Sequence, residues 1–131
     1  MSSGLPRFAA LALLVAVMVS CAPALVWGSD QAIKERLFRI VPPGSSPEML
    51  EAAAKDHGWE ITARDERYFP AGTATYFEND NLKCAFAGGP SRVLTIAHYW
   101  SPLETYVESY WLYDARRKLR DICIRRGTDS L

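Results

Sequence analysis

The feature that most constrains the fold is an apolar run near the N-terminus, because it removes those residues from any folded domain. Arg7 is followed by twelve apolar residues, 8–19, and then by Ser20 and Cys21. A basic residue, an apolar segment of this length and small residues after it are the parts of a signal peptide. Twelve helical residues cover about 18 Å, less than the ~30 Å hydrocarbon core of a bilayer. The pattern therefore predicts export, with residues 1–21 as the signal peptide.

The end of this leader determines how the chain is processed. Residues 18–21, Met-Val-Ser-Cys, resemble the lipobox of bacterial lipoproteins, although Met18 stands where leucine is usual. The resemblance implies a lipid on Cys21 and attachment to a membrane through that anchor. Two alternatives stay open. Cleavage near residues 26–28 would give a soluble secreted protein, whereas the renewed apolar character of residues 22–27 would allow an uncleaved anchor.

The remaining chain has the size and charge of one ordinary domain. Residues 22–131 number 110, a common domain length, and 49 % of the whole sequence is apolar. We expect residues 22–31 to form a short linker and residues 32–131 to form a single domain. Fourteen basic residues oppose fifteen acidic ones after the leader, a net charge near −1. This balance gives no general attraction to nucleic acid, so nucleic acid is not an expected partner.

A helix over residues 47–57 has the clearest boundaries in the sequence. Ser46 suits the N-cap, Pro47 suits the first helical position, and Gly58 suits the left-handed residue that ends a helix. The residues expected on its buried stripe are Met49, Leu50, Ala53, Ala54 and His57.

An earlier helix is predicted over residues 31–38, with Ser29 or Asp30 as its cap. Residues 37–41 have an alternative, because the two prolines that follow favour an extended chain before them.

Alternating or β-branched segments after Gly58 predict an antiparallel sheet. The last two segments are joined by a short polar loop that begins with a turn-forming Asp, as in a hairpin. Together with the helices, they predict an α+β fold in two layers, with one or two N-terminal helices packed on a meander of about four strands. The predicted strand segments are residues 59–63, 82–87, 92–100, 105–113 and 118–126.

Several of these motifs resemble one family. Residues 44–49 (Gly-Ser-Ser-Pro-Glu-Met), 57–58 (His-Gly), 111–114 (Trp-Leu-Tyr-Asp) and 118–122 (Lys-Leu-Arg-Asp-Ile) look like those of small envelope lipoproteins of the BamE (SmpA/OmlA) kind. The fold of that family is related to the β-lactamase-inhibitor-protein architecture. The resemblance covers residues 41–126 and implies a scaffold or binding role in the cell envelope.

The three cysteines predict one disulfide. Cys21 lies in the leader, which leaves Cys84 and Cys123 as an even pair in an oxidising compartment. The alternative is two buried thiols that never meet. The sequence has no Cys-x-x-Cys or His-x-x-x-His spacing, so we expect no metal site and no cofactor.

The aromatic residues of the last strands suggest a binding surface. Side chains on a strand alternate between faces, so one set, with Trp100 and Trp111, is expected in the core and the other outside. An exposed aromatic face and a basic hairpin would suit contact with an envelope protein partner. The predicted binding residues are Tyr99, Tyr106, Tyr110, Tyr113, Arg116 and Arg117.

A small secreted hydrolase is the alternative function, and an inhibitor or immunity-type protein is another. In the hydrolase, His98 would act as a general base beside a carboxylate such as Glu104 or Glu108. Alternation predicts His98 on the same face as Leu94 and Trp100. No Gly-x-Ser-x-Gly or His-Glu-x-x-His motif accompanies it. A cavity with His98 in reach of a carboxylate would favour the enzyme, whereas packing against apolar side chains would exclude it.

Overall fold

Two helices precede a four-stranded sheet in the part of the chain that the structure describes. The structure is a computed structural model that describes residues 22–66, 88–100 and 103–128. The sheet is an antiparallel meander in the order β1-β2-β3-β4, and the helices pack on it. The predicted two-layer α+β fold is therefore confirmed. After a turn of 3-10 helix at Ala24–Val26, the elements are α1 Asp30–Ile40, α2 Pro47–His57, β1 Glu60–Asp65, β2 Ser91–Trp100, β3 Glu104–Tyr113 and β4 Leu119–Thr128.

The ends of α2 are those predicted. The side chain of Ser46 accepts a hydrogen bond of 3.3 Å from the backbone N–H of Met49, and Gly58 ends the helix at φ 70°. The buried stripe is narrower than expected. Pro47, Leu50 and Ala54 are buried, whereas Met49 is 55 % exposed and His57 is exposed as well. Positions 47, 50 and 54 form one i, i+3, i+7 row, and a helix on a sheet edge buries little more than that row.

The first helix is longer than predicted. The side chain of Ser29 accepts from the N–H of Ala32 at 3.1 Å, and the helix continues to Ile40. The extended alternative for residues 37–41 is therefore not observed. The influence of the following prolines is confined to Val41, which has extended dihedral angles while its N–H still donates to Leu37 at 2.8 Å.

The core lies between the helices and one face of the sheet. Trp111 is fully buried, as predicted, at the centre of β3. Its neighbours in this core come from all the regular elements and include Ile33, Leu37, Leu50, Leu94, Val107, Leu119 and Ile122. The predicted strand at residues 82–87 lies outside the described residues.

The residues that were expected to be a linker pack against this core. We refer to residues 22–28 as the N-terminal strap. Val26 is only 2 % exposed, and Ala22 and Leu25 pack on the same cluster. The guanidinium of Arg36 donates to the carbonyl of Leu25 at 3.1 Å, and that of Arg126 donates to Gly28 at 2.6 Å. The strap is thus part of the domain. Among the described residues, no helix has the length and apolar character needed to span a membrane.

Candidate binding surface at one end of the sheet

A β-bulge in β2 decides which side chains reach the outer face of the sheet. Thr95 pairs with Glu108 and Ala97 pairs with Val107, so Ile96 is an extra residue in the ladder. An extra residue shifts the alternation of the residues that follow it to the opposite face. Leu94 and Ala97 are both buried against the helices, whereas His98 and Trp100 are exposed. The predicted common face for His98 and Leu94 is therefore wrong.

The bulge brings four side chains together where β2 and β3 begin their hairpin connection. His98 lies opposite Tyr106, and the two rings stack with centroids 4.5 Å apart at an interplanar angle of 6°. The Nε2 atom of His98 contacts Oε1 of Glu104, which lies opposite Trp100. The side chain of His98 is 48 % exposed and Trp100 is 64 % exposed. We call these four residues the aromatic end of the sheet.

An open cavity of about 300 Å³ adjoins the aromatic end. Its walls are His98 and Thr95 from β2, Glu60 from β1, Gly58 after α2, and Pro23 from the strap, with the bulge residues at its base. Glu60 is exposed and lies opposite Thr95 in the ladder. The cavity therefore offers a carboxylate, a hydroxyl and an imidazole within reach of solvent.

The other predicted aromatic residues do not share this surface. Tyr113 is fully buried on the helix side, where desolvation raises the pKa of its hydroxyl. Tyr99 is partly buried against the same core. Tyr110 is on the outer face but only 6 % exposed, and its hydroxyl donates to Glu108 at 3.0 Å. Of the four predicted tyrosines, Tyr106 alone belongs to the aromatic end.

Two corrections follow from the bulge and from strand alternation. Trp100 was expected in the core and is instead the most exposed large apolar side chain of the aromatic end. Tyr113 was expected outside, but it shares the helix-facing side of β3 with Trp111 two residues earlier.

The basic hairpin lies at the opposite end of the sheet. Its turn begins at Asp114, whose carboxylate accepts from the N–H groups of Arg116 at 2.9 Å and Lys118 at 3.0 Å. Strand β3 has ten residues, so about 30 Å separates this turn from the aromatic end. The predicted surface that joins the tyrosines to Arg116 and Arg117 is therefore two separate regions.

Arg117 is engaged within the domain. Its guanidinium contacts Glu66 and also Glu48, the latter at 2.7 Å, so it ties the hairpin to the first turn of α2. Desolvation alone would raise the pKa of Glu66, but hydrogen bonds from Arg117 and Arg92 outweigh it and lower that pKa. Arg116 is exposed and remains accessible.

The described residues cover only part of the predicted cysteine and metal chemistry. Cys21 and Cys84 lie outside the described residues, so lipidation and the disulfide stay predictions. Cys123 lies on β4, 9 % exposed, beside Tyr110 and Leu112. Within the described ranges, no cluster of three or more His, Cys, Asp or Glu side chains is suited to hold a metal ion.

The geometric condition for the hydrolase is met in part. His98 contacts Glu104 and borders a cavity, and it is not enclosed by apolar side chains. An enclosed site strengthens electrostatic catalysis, but here the imidazole is half exposed and its ring is stacked on Tyr106. Among the described residues, an imidazole and a carboxylate are thus in contact at the rim of the cavity, and they leave the imidazole half exposed rather than enclosed.

Comparison with known proteins adds no family. No protein-family model matches the chain, and neither a curated protein nor a solved structure is significantly similar to it.

Proposed function

We propose that this chain is an exported, non-enzymatic protein-binding or scaffold module of the bacterial cell envelope. Its partner, an envelope protein, would contact the aromatic end of the sheet. The observation that carries the proposal is Trp100, a side chain that is 64 % exposed on an ordered strand beside the stacked His98–Tyr106 pair. Large aromatic side chains, tryptophan above all, are enriched at the energetic centres of protein interfaces.

The exposed area of Trp100 is large enough to matter energetically. A tryptophan buries up to about 250 Å², so its exposed part is roughly 160 Å². At about 25 cal/mol per Å², covering that area would contribute up to ~4 kcal/mol. Arg116, about 30 Å away, is not required for this contact.

Attachment to the membrane through a lipid on Cys21 belongs to the same proposal. The main argument against a lipoprotein leader was the apolar character of residues 25–27, which looked like the continuation of a membrane anchor. Val26 and Leu25 pack into the domain core instead, so their apolar character has a different cause.

Co-purification from membranes tests the proposed surface. We expect Trp100→Ala to weaken recovery of envelope partners with the full-length protein at least tenfold, while the circular dichroism spectrum stays unchanged. Trp27→Ala is the matched control, because Trp27 is 58 % exposed but lies on the strap. Equal recovery with both variants would contradict the proposed surface.

A small secreted hydrolase remains a second candidate because His98 contacts Glu104 beside a cavity. In this scheme His98 would activate a water molecule and Glu104 would orient the imidazole. The test is hydrolysis of a panel of esters, peptides and glycosides by the purified protein, compared with His98→Ala and Glu104→Gln. Turnover that both variants abolish would favour the enzyme over the binding module.

A further inference from the structure

The same end of β2 has an incomplete edge. Strand β1 pairs with β2 only from Asp65↔Ser91 to Glu60↔Thr95. On the other side, β3 pairs with β2 as far as Trp100↔Glu104. In the described ranges, residues 96–100 are therefore hydrogen-bonded to a strand on one side only. Five residues of extended chain correspond to an edge of about 17 Å.

Among the described residues, the chain before β1 leaves these positions of β2 unpaired on one side for an identifiable reason. Gly58 takes a left-handed conformation at the end of α2, and the next residue, Trp59, turns into the core. The indole of Trp59 stacks on His57 at 4.8 Å and lies 6.4 Å from Trp111. Because Trp59 is held there, β1 cannot extend further along β2. The cavity described above occupies the space that β1 leaves.

An open edge has a definite chemical requirement. Alternate residues of an edge strand direct their N–H and C=O groups outward, where another extended chain is the natural partner. Peptide segments in many complexes bind in this way, with backbone hydrogen bonds giving affinity and flanking side chains giving selectivity. Here Ile96 and Ala97 are buried while His98 and Trp100 are exposed, so the second half of the edge is accessible.

The side chains around the edge specify the kind of peptide. Glu60 borders the cavity on the unpaired side of β2, whereas Glu104 lies on β3 and contacts His98. The Glu60 carboxylate and an exposed indole both favour a cationic side chain, through ion pairing and through cation–π contact with Trp100. No described Lys or Arg side chain borders the cavity.

We propose that residues 96–100 of β2 bind an extended segment of the partner protein as an added strand in line with β1, and that this segment carries Lys or Arg toward Glu60 and Trp100. The proposal rests on the proposed protein-binding function and specifies how the partner is held. It predicts that recognition depends on the backbone of the ligand as well as on its side chains.

The test uses a phage-displayed library of random octapeptides selected against the purified protein. We expect enriched peptides to contain Lys or Arg at alternate positions and no proline within the bound segment. A synthetic copy of the best peptide is then N-methylated at every second residue in each of the two registers. Methylation in one register removes the peptide N–H groups that face β2 and should weaken binding about tenfold or more. Methylation in the other register removes N–H groups that face away from β2 and should change binding less than about threefold.

Protein variants complete the experiment. Trp100→Ala should weaken the peptide about tenfold and Trp27→Ala should leave it unchanged. Glu60→Gln should weaken binding a few-fold and reduce its salt dependence, whereas Glu35→Gln on α1 should do neither.

Four outcomes would overturn the inference. If methylation in both registers had equal effects while Trp100→Ala still weakened binding, the peptide would bind through side chains alone. The added strand would then be excluded, whereas the proposed binding surface at Trp100 would stand. Peptide binding that Trp100→Ala leaves unchanged would remove the proposed surface as well. Failure to enrich any peptide would also exclude the added strand. Self-association that Trp100→Ala abolishes would show that a second copy of this chain fills the edge.

Discussion

Replacement of Val26 by alanine tests whether the N-terminal strap is structural. Val26 is 2 % exposed, so the two methyl groups that the substitution removes are buried almost completely. At about 0.8 kcal/mol per buried carbon, their loss costs roughly 1.6 kcal/mol, and the cavity left behind brings the total to about 2–3 kcal/mol. For a domain of this size, the melting temperature should fall by roughly 6–12 °C.

The assay is urea denaturation of the purified mature protein, followed by circular dichroism. The matched control is the adjacent Trp27→Ala. Trp27 is 58 % exposed, and its indole N–H donates to the carbonyl of Ala22 in an exposed position, so this change should cost less than about 1 kcal/mol. Equal stability of the Val26→Ala variant and the wild type would refute the assignment of the strap to the core.

The same residue bears on processing. Cleavage near residues 26–28 would remove Val26 and the carbonyl groups that Arg36 binds. A stable mature protein should therefore begin before Val26, and intact mass spectrometry of the protein purified from membranes checks this. A folded product that begins at Ser29 would contradict it.

Three further predictions follow from the fold. Gly89→Ala would place a Cβ atom 2.0 Å from a carbonyl oxygen of the β3–β4 turn and should destabilise by about 3 kcal/mol or more, whereas Gly127→Ala meets open space and should be nearly neutral in urea titrations. Because the pKa of Glu66 is lowered below its ordinary 4.5, its ion pairs stabilise the fold above pH 4.5, and this stabilisation is lost as the pH falls through the lowered value. The wild-type melting temperature should therefore fall between about pH 5 and pH 3, and Glu66→Gln should make that fall less steep. An unchanged slope would count against the ion pairs of Glu66 with Arg92 and Arg117. The predicted Cys84–Cys123 disulfide should appear as a mass deficit of ~2 Da, and reduction should destabilise by roughly 3–4 kcal/mol for a ~39-residue loop; a full-mass chain would exclude it.

Local sequence signals predicted most of the fold. Ser46, Pro47 and Gly58 act through backbone hydrogen bonds and dihedral angles that depend on their immediate neighbours, so the bounds of α2 could be predicted correctly. The hairpin at Asp114 was predictable for the same reason, since its carboxylate binds N–H groups two and four residues later. The order of β2, β3 and β4 followed from their short connections, whereas residues 66–90 separate β1 from β2.

The candidate site was less predictable because it depends on one irregularity. The bulge at Ile96 moves His98 and Trp100 to the outer face, yet residues 93–100 contain no glycine that would indicate a bulge. A strand read with strict alternation therefore places these two residues on the wrong side. Only the pairing with β3 shows where the extra residue lies.

The remaining incorrect predictions concern contacts that only tertiary packing creates. Residues 22–31 looked like a linker because they include Pro23, Gly28 and Ser29. The core nevertheless accommodates Val26, and the side chains of Arg36 and Arg126 bind the backbone of this segment. The hairpin arginines looked available because no sequence rule shows that Glu48 and Glu66, more than fifty residues earlier, reach Arg117.

The strap would also determine how far the folded domain lies from a membrane to which Cys21 is attached. Lipoproteins that need to work far from a bilayer use a long flexible tether, whose span grows with the square root of its length. In this chain Ala22 already packs on the core, so a lipid on Cys21 would be one residue, about 3.8 Å of backbone, from the folded domain. Such a short attachment would leave the domain almost no freedom to move relative to the membrane. Pro23 borders the same cavity as His98, so with a lipid on Cys21 the unpaired edge of β2 would lie close to the membrane surface.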